Sequence, residues 1–373
     1  MLPLKGLKVL DLSRVLAGPY ASQILGDLGA EVLKVEEKSH GDETRSWGPP
    51  FFEGQSSYYL AANRNKKSIA LDFKNADDLK VALDLADDAD ILIENFKFES
   101  LKKFGLDYEC LATRNPRLIY CSITGFGHSG PRAHEPGYDV LIQALGGLMS
   151  ITGPDAESPT KVGVAVTDLA TGLYAVIGIL AALKEREQSG KGQHIDIALF
   201  DTQVSLLANI GMNFLTSKEI PQPIGNRHPS IVPYGSYRTK DQPLMLTIGN
   251  DKQFEHFCIA AGKAWHQDGR FRTNENRVLN RASLETEIQR HLETKNRNDW
   301  LEIFRGKGFP FGPIQNLKEL SNDPQLKARD LFTTMNDGKT PCIRSPLRFS
   351  RTPIRDYKTP PSLGENSKDR FTS

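Results

Sequence analysis

Within its first 35 residues the chain passes from a short apolar run, Lys8–Leu12, through a turn at Ala17–Pro19 into a helical stretch carrying Tyr20, Ile24, Leu25 and Leu28, and then to a second apolar run, Glu31–Val35. Strand, helix and strand in so short a span make a βαβ unit, which requires parallel pairing and a helix lying on the sheet. The alternation continues with a helix around Ala76–Ala86, a strand at Asp90–Ile93, a helical stretch at Phe98–Lys103 and a strand at Leu118–Ile123. The predicted fold class is therefore α/β, with a doubly wound, mostly parallel sheet.

A long apolar helix follows, carrying Leu169, Leu173, Val176, Ile177, Leu180 and Leu183 at helical spacing and ending at Gly190. A strand at His194–Leu199 and a helix over Asp201–Leu215 complete this part. Composition changes at Pro221–Pro233, rich in Pro, Gly, Asn and His. Beyond it a strand at Leu244–Ile248 and amphipathic helices at Gln253–Gly262, Ser283–Leu292 and Asn298–Phe304 predict a smaller α+β domain. The expected division is a large domain over residues 1–220, a small one over 221–325, and a segment 326–373 that returns to the large domain.

Charge is balanced, with Lys+Arg 47 against Asp+Glu 46, which argues against broad nucleic-acid or anionic-membrane binding. No run is expected to reach the length and apolarity of a membrane span. The start at Met1–Gly6 leads directly into the first strand, so a cytoplasmic address is expected, or the mitochondrial matrix if a presequence has been removed. Cys110, Cys121, Cys258 and Cys342 are scattered, with no spacing suited to a metal or a disulfide framework, and are expected to pack in the core.

Ligands of a doubly wound sheet bind beyond the carboxyl ends of its strands, here the loops Ser13–Pro19, Glu94–Phe98 and Thr124–Pro131. The first loop lacks the GxGxxG spacing of a dinucleotide site, although Glu36 closes the second strand where a ribose-binding acid could sit. The other candidate is Asp168, set among Gly163, Ala165, Ala170 and Gly172 at the start of the long helix. Free backbone N–H groups there favour an ionised carboxylate, as a nucleophile requires; an acid at that place also reads as a simple helix cap.

The joint pattern decides between these readings. Val9–Pro19, Leu28–Glu36, Gly41–Arg45, Asn65–Ile69, Glu94–Phe96, Ser122–Gly127, Gly137–Asp139, Asp168–Gly172 and Leu363–Glu365 occur in an order that resembles the class III CoA-transferases, the CaiB–BaiF family, from about Leu4 to Glu365. The resemblance implies a Rossmann-like large domain and a homodimer of two interlocked rings. It places the active site between the large domain of one subunit and the small domain of the other. It also implies that CoA enters as a thioester substrate, with no permanently bound cofactor. Asp168 aligns with the family's nucleophile, which forms first a mixed anhydride and then an aspartyl-CoA thioester.

The same resemblance assigns CoA contacts to Arg14, Val15, Leu16 and Ala17, to the Leu71–Lys74 stretch with Leu71 and Lys74, and to Asn95 and Phe96. Lys103 stands where the family's formyl-CoA enzymes have an arginine, and Tyr138 and Asp139 match a Tyr-Glu pair. Lys74, Lys97, Lys102 and Lys103 are candidate point charges for CoA phosphates. Two departures appear: Glu37 replaces an arginine, with Lys38 as a candidate substitute, and a Gly-rich substrate loop is replaced by Gly225–Tyr234. That segment is similar to the branch acting on dicarboxylates such as succinate and glutarate, with Arg14 or Arg227 expected to pair the distal carboxylate and His228 to donate a hydrogen bond. Two alternatives are an α-methylacyl-CoA racemase, whose catalytic histidine would fall on Tyr138, a poor base near neutral pH, and a CoA-binding protein without catalysis.

Overall fold

The computed structural model describes residues 1–371 and divides into two compact units. The larger comprises Met1–Met149, Lys161–Ile220 and the chain from Pro324 onward; the smaller comprises Ser150–Thr160 and Pro221–Asp323.

Six parallel strands form the sheet of the larger unit: β1 (Lys8–Asp11), β2 (Glu31–Glu37), β3 (Lys66–Leu71), β4 (Ile91–Glu94), β5 (Ile119–Thr124) and β6 (His194–Ala198). Their order is β3-β2-β1-β4-β5-β6, so the winding reverses between β1 and β4. A crevice at the carboxyl ends of those two strands is the expected ligand position.

Side chains alternate along each strand and feed two cores. Val9, Ile91, Ile93 and Cys121 pack under the helices Ala17–Asp27 and Val166–Ser189, whereas Leu10, Leu33, Leu92 and Tyr120 pack under Ala76–Asp88. Both faces are apolar because helices cover both.

The structure corrects several expectations. Lys66–Leu71, to which the sequence pattern assigned no element of its own, is edge strand β3; Lys66 and Ser68 are buried and hydrogen-bonded. The edge is covered by the returning C-terminal segment, where Asn366 N–H donates to the Ser68 carbonyl at 2.9 Å and Ala70 N–H to Ser367 Oγ at 3.2 Å. Phe98–Lys103 is a turn followed by a single 3₁₀ turn at Lys102–Phe104. The helix expected over Asp201–Leu215 is two helices, Leu199–Ser205 and Ala208–Ser217, broken where Ala208 adopts φ 43°. Cys110 is exposed, unlike the other three cysteines.

The Val166–Ser189 helix overturns the expectation about span length: with a mean hydropathy of 1.8 it is long and apolar enough to cross a membrane by length and composition. It reaches that value because one face, through Thr171, Gly172, Ala175, Val176, Ile179 and Ala182, belongs to the core, while Leu173, Tyr174, Ile177 and Leu180 are exposed apolar residues.

The smaller unit has an antiparallel sheet, Phe311–Pro313, Leu244–Thr247 and Tyr234–Tyr237, with helices Asp251–Ala260, Arg281–Leu292 and Arg297–Phe304. Phe254, Phe257, Phe271, Trp300 and Phe304 fill its core.

Candidate active site

Asp168 occupies the first turn of Val166–Ser189, and the residue that satisfies this helix end is Asp139. Asp139 Oδ1 accepts from the Thr167 N–H at 2.8 Å and the Asp168 N–H at 3.2 Å, while Oδ2 accepts from Gln143 Nε2 at 2.6 Å. Gln143 Oε1 in turn accepts from the Val162 N–H at 2.9 Å. A pair of glycines makes this possible: a Cβ on Gly125 would lie 2.7 Å from the Gly137 nitrogen, so only two bare backbones fit where the chain turns toward Asp139.

One expectation about Asp168 is thereby corrected, and the alternative that it caps the helix is set aside. Its carboxylate does not cap the helix, and the free N–H groups expected to favour its ionised form are donated to Asp139 instead. Burial, reinforced by the Asp139 charge, pushes its pKa up to about 7. Tyr58 was not foreseen: burial and then the charge of Asp168 raise its phenol to about 12, so it stays neutral beside the acid.

The Asp168 helix lies against the first βα turn. Gly172 is one helical turn beyond Asp168 on the same face, and a Cβ there would meet the Ala17 carbonyl at 2.8 Å. Between β1 and that helix, Arg14 N–H donates to Asn95 Oδ1 at 2.9 Å and Asn95 Nδ2 donates to the Arg14 carbonyl at 2.6 Å. The Arg14 guanidinium lies 5.8 Å from the Phe96 ring centre and pairs with Glu43 at 2.6 Å. Thus Arg14, which with Val15, Leu16 and Ala17 leads from β1 into the helix Ala17–Asp27, meets Asn95 and Phe96 from the loop after β4, at the place where the winding reverses. Val15 is unusual in adopting φ 69°, a left-handed conformation that a β-branched residue resists.

Leu71 is buried at the end of β3, and the chain beyond it contributes Phe73, whose ring packs 5.8 Å from that of Phe104. Lys74, Lys97 and Lys103 are exposed beyond the ends of β3 and β4, with Lys103 held over the Phe104 ring at 4.9 Å. Glu37 accepts from Ser39 and His40 in its own turn, and Lys38 is already paired with Asp78 at 3.1 Å. Tyr138 is 65 % exposed.

Arg227 and His228 belong to the smaller unit. Arg227 is exposed and stands 3.7 Å from Glu285; His228 Nδ1 accepts the Ser230 N–H at 3.1 Å and its ring packs 5.3 Å from Tyr234.

A second titratable cluster was also missed. Glu94, Tyr120, Ser122 and His194 share one sheet face around a pocket of about 120 Å³, with Ser122 Oγ 2.9 Å from His194 Nε2. Burial raises the Glu94 carboxyl to about 7. These residues sit inside apolar strands, where single polar positions give no pattern to read.

The family model described as CoA-transferase family III matches residues 4–367. The chain is similar to a succinate–glutarate CoA-transferase of Agrobacterium fabrum, at 45 % identity over 98 % of this chain and 94 % of that one. It is 42 % identical to a succinyl-CoA:glutarate CoA-transferase of Mus musculus, over 99 % of this chain and 85 % of that one. Its fold matches the crystal structure of a CAIB/BAIF family protein from Brucella suis with a TM-score of 0.90, at 45 % identity and 98 % coverage of both chains.

Proposed function

The chain belongs to CoA-transferase family III, and we propose that it moves CoA from succinyl-CoA or a similar dicarboxylyl-CoA to a free dicarboxylate, with Asp168 as the nucleophile. The observation that carries this reading is the state of Asp168. It is partly buried, accepts no hydrogen bond among the described residues, and has its pKa at about 7, so near neutral pH a large fraction is an anion with its lone pairs unengaged.

The carboxylate attacks the donor thioester carbonyl and expels CoA thiolate, leaving an aspartyl–acyl anhydride. The thiolate attacks the aspartyl carbonyl of that anhydride, releasing the donor as a free carboxylate and leaving aspartyl-CoA. The acceptor carboxylate attacks this thioester, giving a second anhydride and the thiolate. Attack of the thiolate on the acceptor carbonyl forms the new acyl-CoA and regenerates Asp168. Each bond broken is matched by one of similar energy, so no ATP is consumed.

Backbone groups of Arg14–Ala17 with Asn95 and Phe96 receive CoA at the end of the sheet, and Lys74, Lys97 and Lys103 offer charge to its phosphates. Arg14, paired with Glu43, and Arg227, paired with Glu285, are the candidates for the distal carboxylate, with His228 as a hydrogen-bond donor. The names of the relatives support succinate and glutarate as the first acids to test. Homodimer formation is supported by the exposed apolar face of Leu173, Tyr174, Ile177 and Leu180 together with Met212, Phe214 and Leu215.

The test is a panel of acyl-CoA donors and carboxylic acids read by mass, with hydroxylamine trapping of the enzyme after donor addition. Succinyl transfer to glutarate and a hydroxamate on the Asp168 peptide are expected. Rapid α-deuterium exchange without transfer, or full transfer by Asp168→Ala, would overturn the reading.

A further inference from the structure

The Gly41–Arg45 motif and the lysines of β2 and β3 have so far been given no part in the reaction, yet they surround the turn after β1. Lys34 Nζ donates to the Ser13 carbonyl at 2.7 Å and pairs with Asp42 at 2.9 Å, and both side chains are 0 % exposed. Lys66 Nζ donates to the Pro19 carbonyl at 2.9 Å and to Asn63 Oδ1 at 2.9 Å, and pairs with Asp11 at 3.1 Å. Two buried ammonium groups therefore hold the carbonyls at the two ends of the same turn. In the middle of it is Val15 at φ 69°, whose N–H is shared between both carboxylate oxygens of Asp42 at 3.3 Å. Thr44 fixes the Asp42 carboxylate, donating its N–H at 3.0 Å and its hydroxyl at 2.7 Å.

Such a conformation persists in a β-branched residue only where the surroundings over-determine it, and it tends to lie at functional sites. Buried ion pairs are weak contributors to stability but can fix one geometry. We infer that Asp42, oriented by Lys34 and Thr44, is a positioning residue for acyl-CoA: it locks the Val15 peptide in its left-handed form so that the Arg14–Ala17 turn meets the thioester with its backbone already set. This rests on the proposed role of that turn in binding CoA. It predicts that the energy of the cage appears in CoA binding, because a turn that must be ordered on binding weakens affinity.

Asp42→Asn leaves one acceptor oxygen where the donors of Val15, Thr44 and Lys34 converge. The expected result is a rise in KM for succinyl-CoA, and in the calorimetric Kd for CoA itself, of about tenfold or more, with kcat at saturating donor within about threefold. Should Asp42→Asn fail to fold, Thr44→Val, which removes only the orienting hydroxyl, serves in its place, with a rise of about threefold. If the parent protein binds CoA and these variants bind it equally well, the positioning role is wrong while the transferase reading stands. If the parent protein does not bind CoA, both fall.

Discussion

Two groups of buried acids lie within one domain, and their chemistry is opposite. Beneath the first βα turn, Asp11 and Asp42 face Lys34 and Lys66. Burial alone would raise Asp11, but Lys66, then Lys34, and the hydroxyls of Ser13 and Ser22 hold it down at about 2; Asp42 is likewise lowered. At the start of the long helix, Asp168 has no cation to offset burial, and its neighbour is another carboxylate. Matched charges fix a conformation, whereas an unmatched acid keeps its proton up to near neutral pH. The first group fixes the Ser13–Pro19 turn, and the second holds the carboxylate proposed as the nucleophile.

Removing a member of each group should fail in different ways. Asp168→Ala is expected to reduce transfer by at least about 10³-fold while the protein stays folded and binds CoA; retained transfer would remove the contrast. Lys34→Met leaves Asp42 buried without its partner and should cost about 3–5 kcal/mol in urea unfolding. A loss below about 1 kcal/mol there would mean that the cage is solvated.

The pH dependence of stability should also have opposite signs. Asp11 is lowered in the folded state, so its contribution is present above about pH 4 and is lost as pH falls toward 2, amounting to about 2 kcal/mol. Asp168 is raised in the folded state, so stability declines as pH rises from about 4 through 7, and the cost remains above that. Asp168→Asn should therefore be more stable than the parent protein at pH 8, by up to about 4 kcal/mol, and equal to it below pH 4. Equal stability at pH 8 would show that Asp168 is not desolvated.

The smallest effect separates the two sources of the Asp168 shift. kcat/KM should fall on the acid side with an inflection at about 7, as the nucleophile is protonated. Asp139→Asn keeps an acceptor for the Thr167 and Asp168 N–H groups but removes the like charge, so the inflection should move to lower pH. An unmoved inflection would leave burial as the sole cause.

Much of this was legible before any coordinates. The βαβ rhythm announced the parallel sheet, because strand and helix periodicities differ and each apolar face must be covered. The order of motifs from Val9 to Glu365 pointed to Asp168 and to the Arg14 and Asn95 loops. That Lys66 in the strand Lys66–Leu71 is buried was not readable, since it is stabilised by Asp11, remote in sequence. The 3₁₀ turn at Lys102–Phe104 and the break near Ala208 were equally hidden, because apolar spacing cannot distinguish a continuous helix from two short ones.

The sequence by itself determined the layered α/β architecture and the family, and it singled out Asp168 as the candidate acid. Only the tertiary structure decided what state that acid is in. A helix start predicts N–H groups stabilising a carboxylate, but which carboxylate receives them depends on Gly125 and Gly137 bringing a distant Asp139 there first. Charge state is set by every group within a few ångströms, and that neighbourhood is assembled from parts of the chain that no local pattern connects.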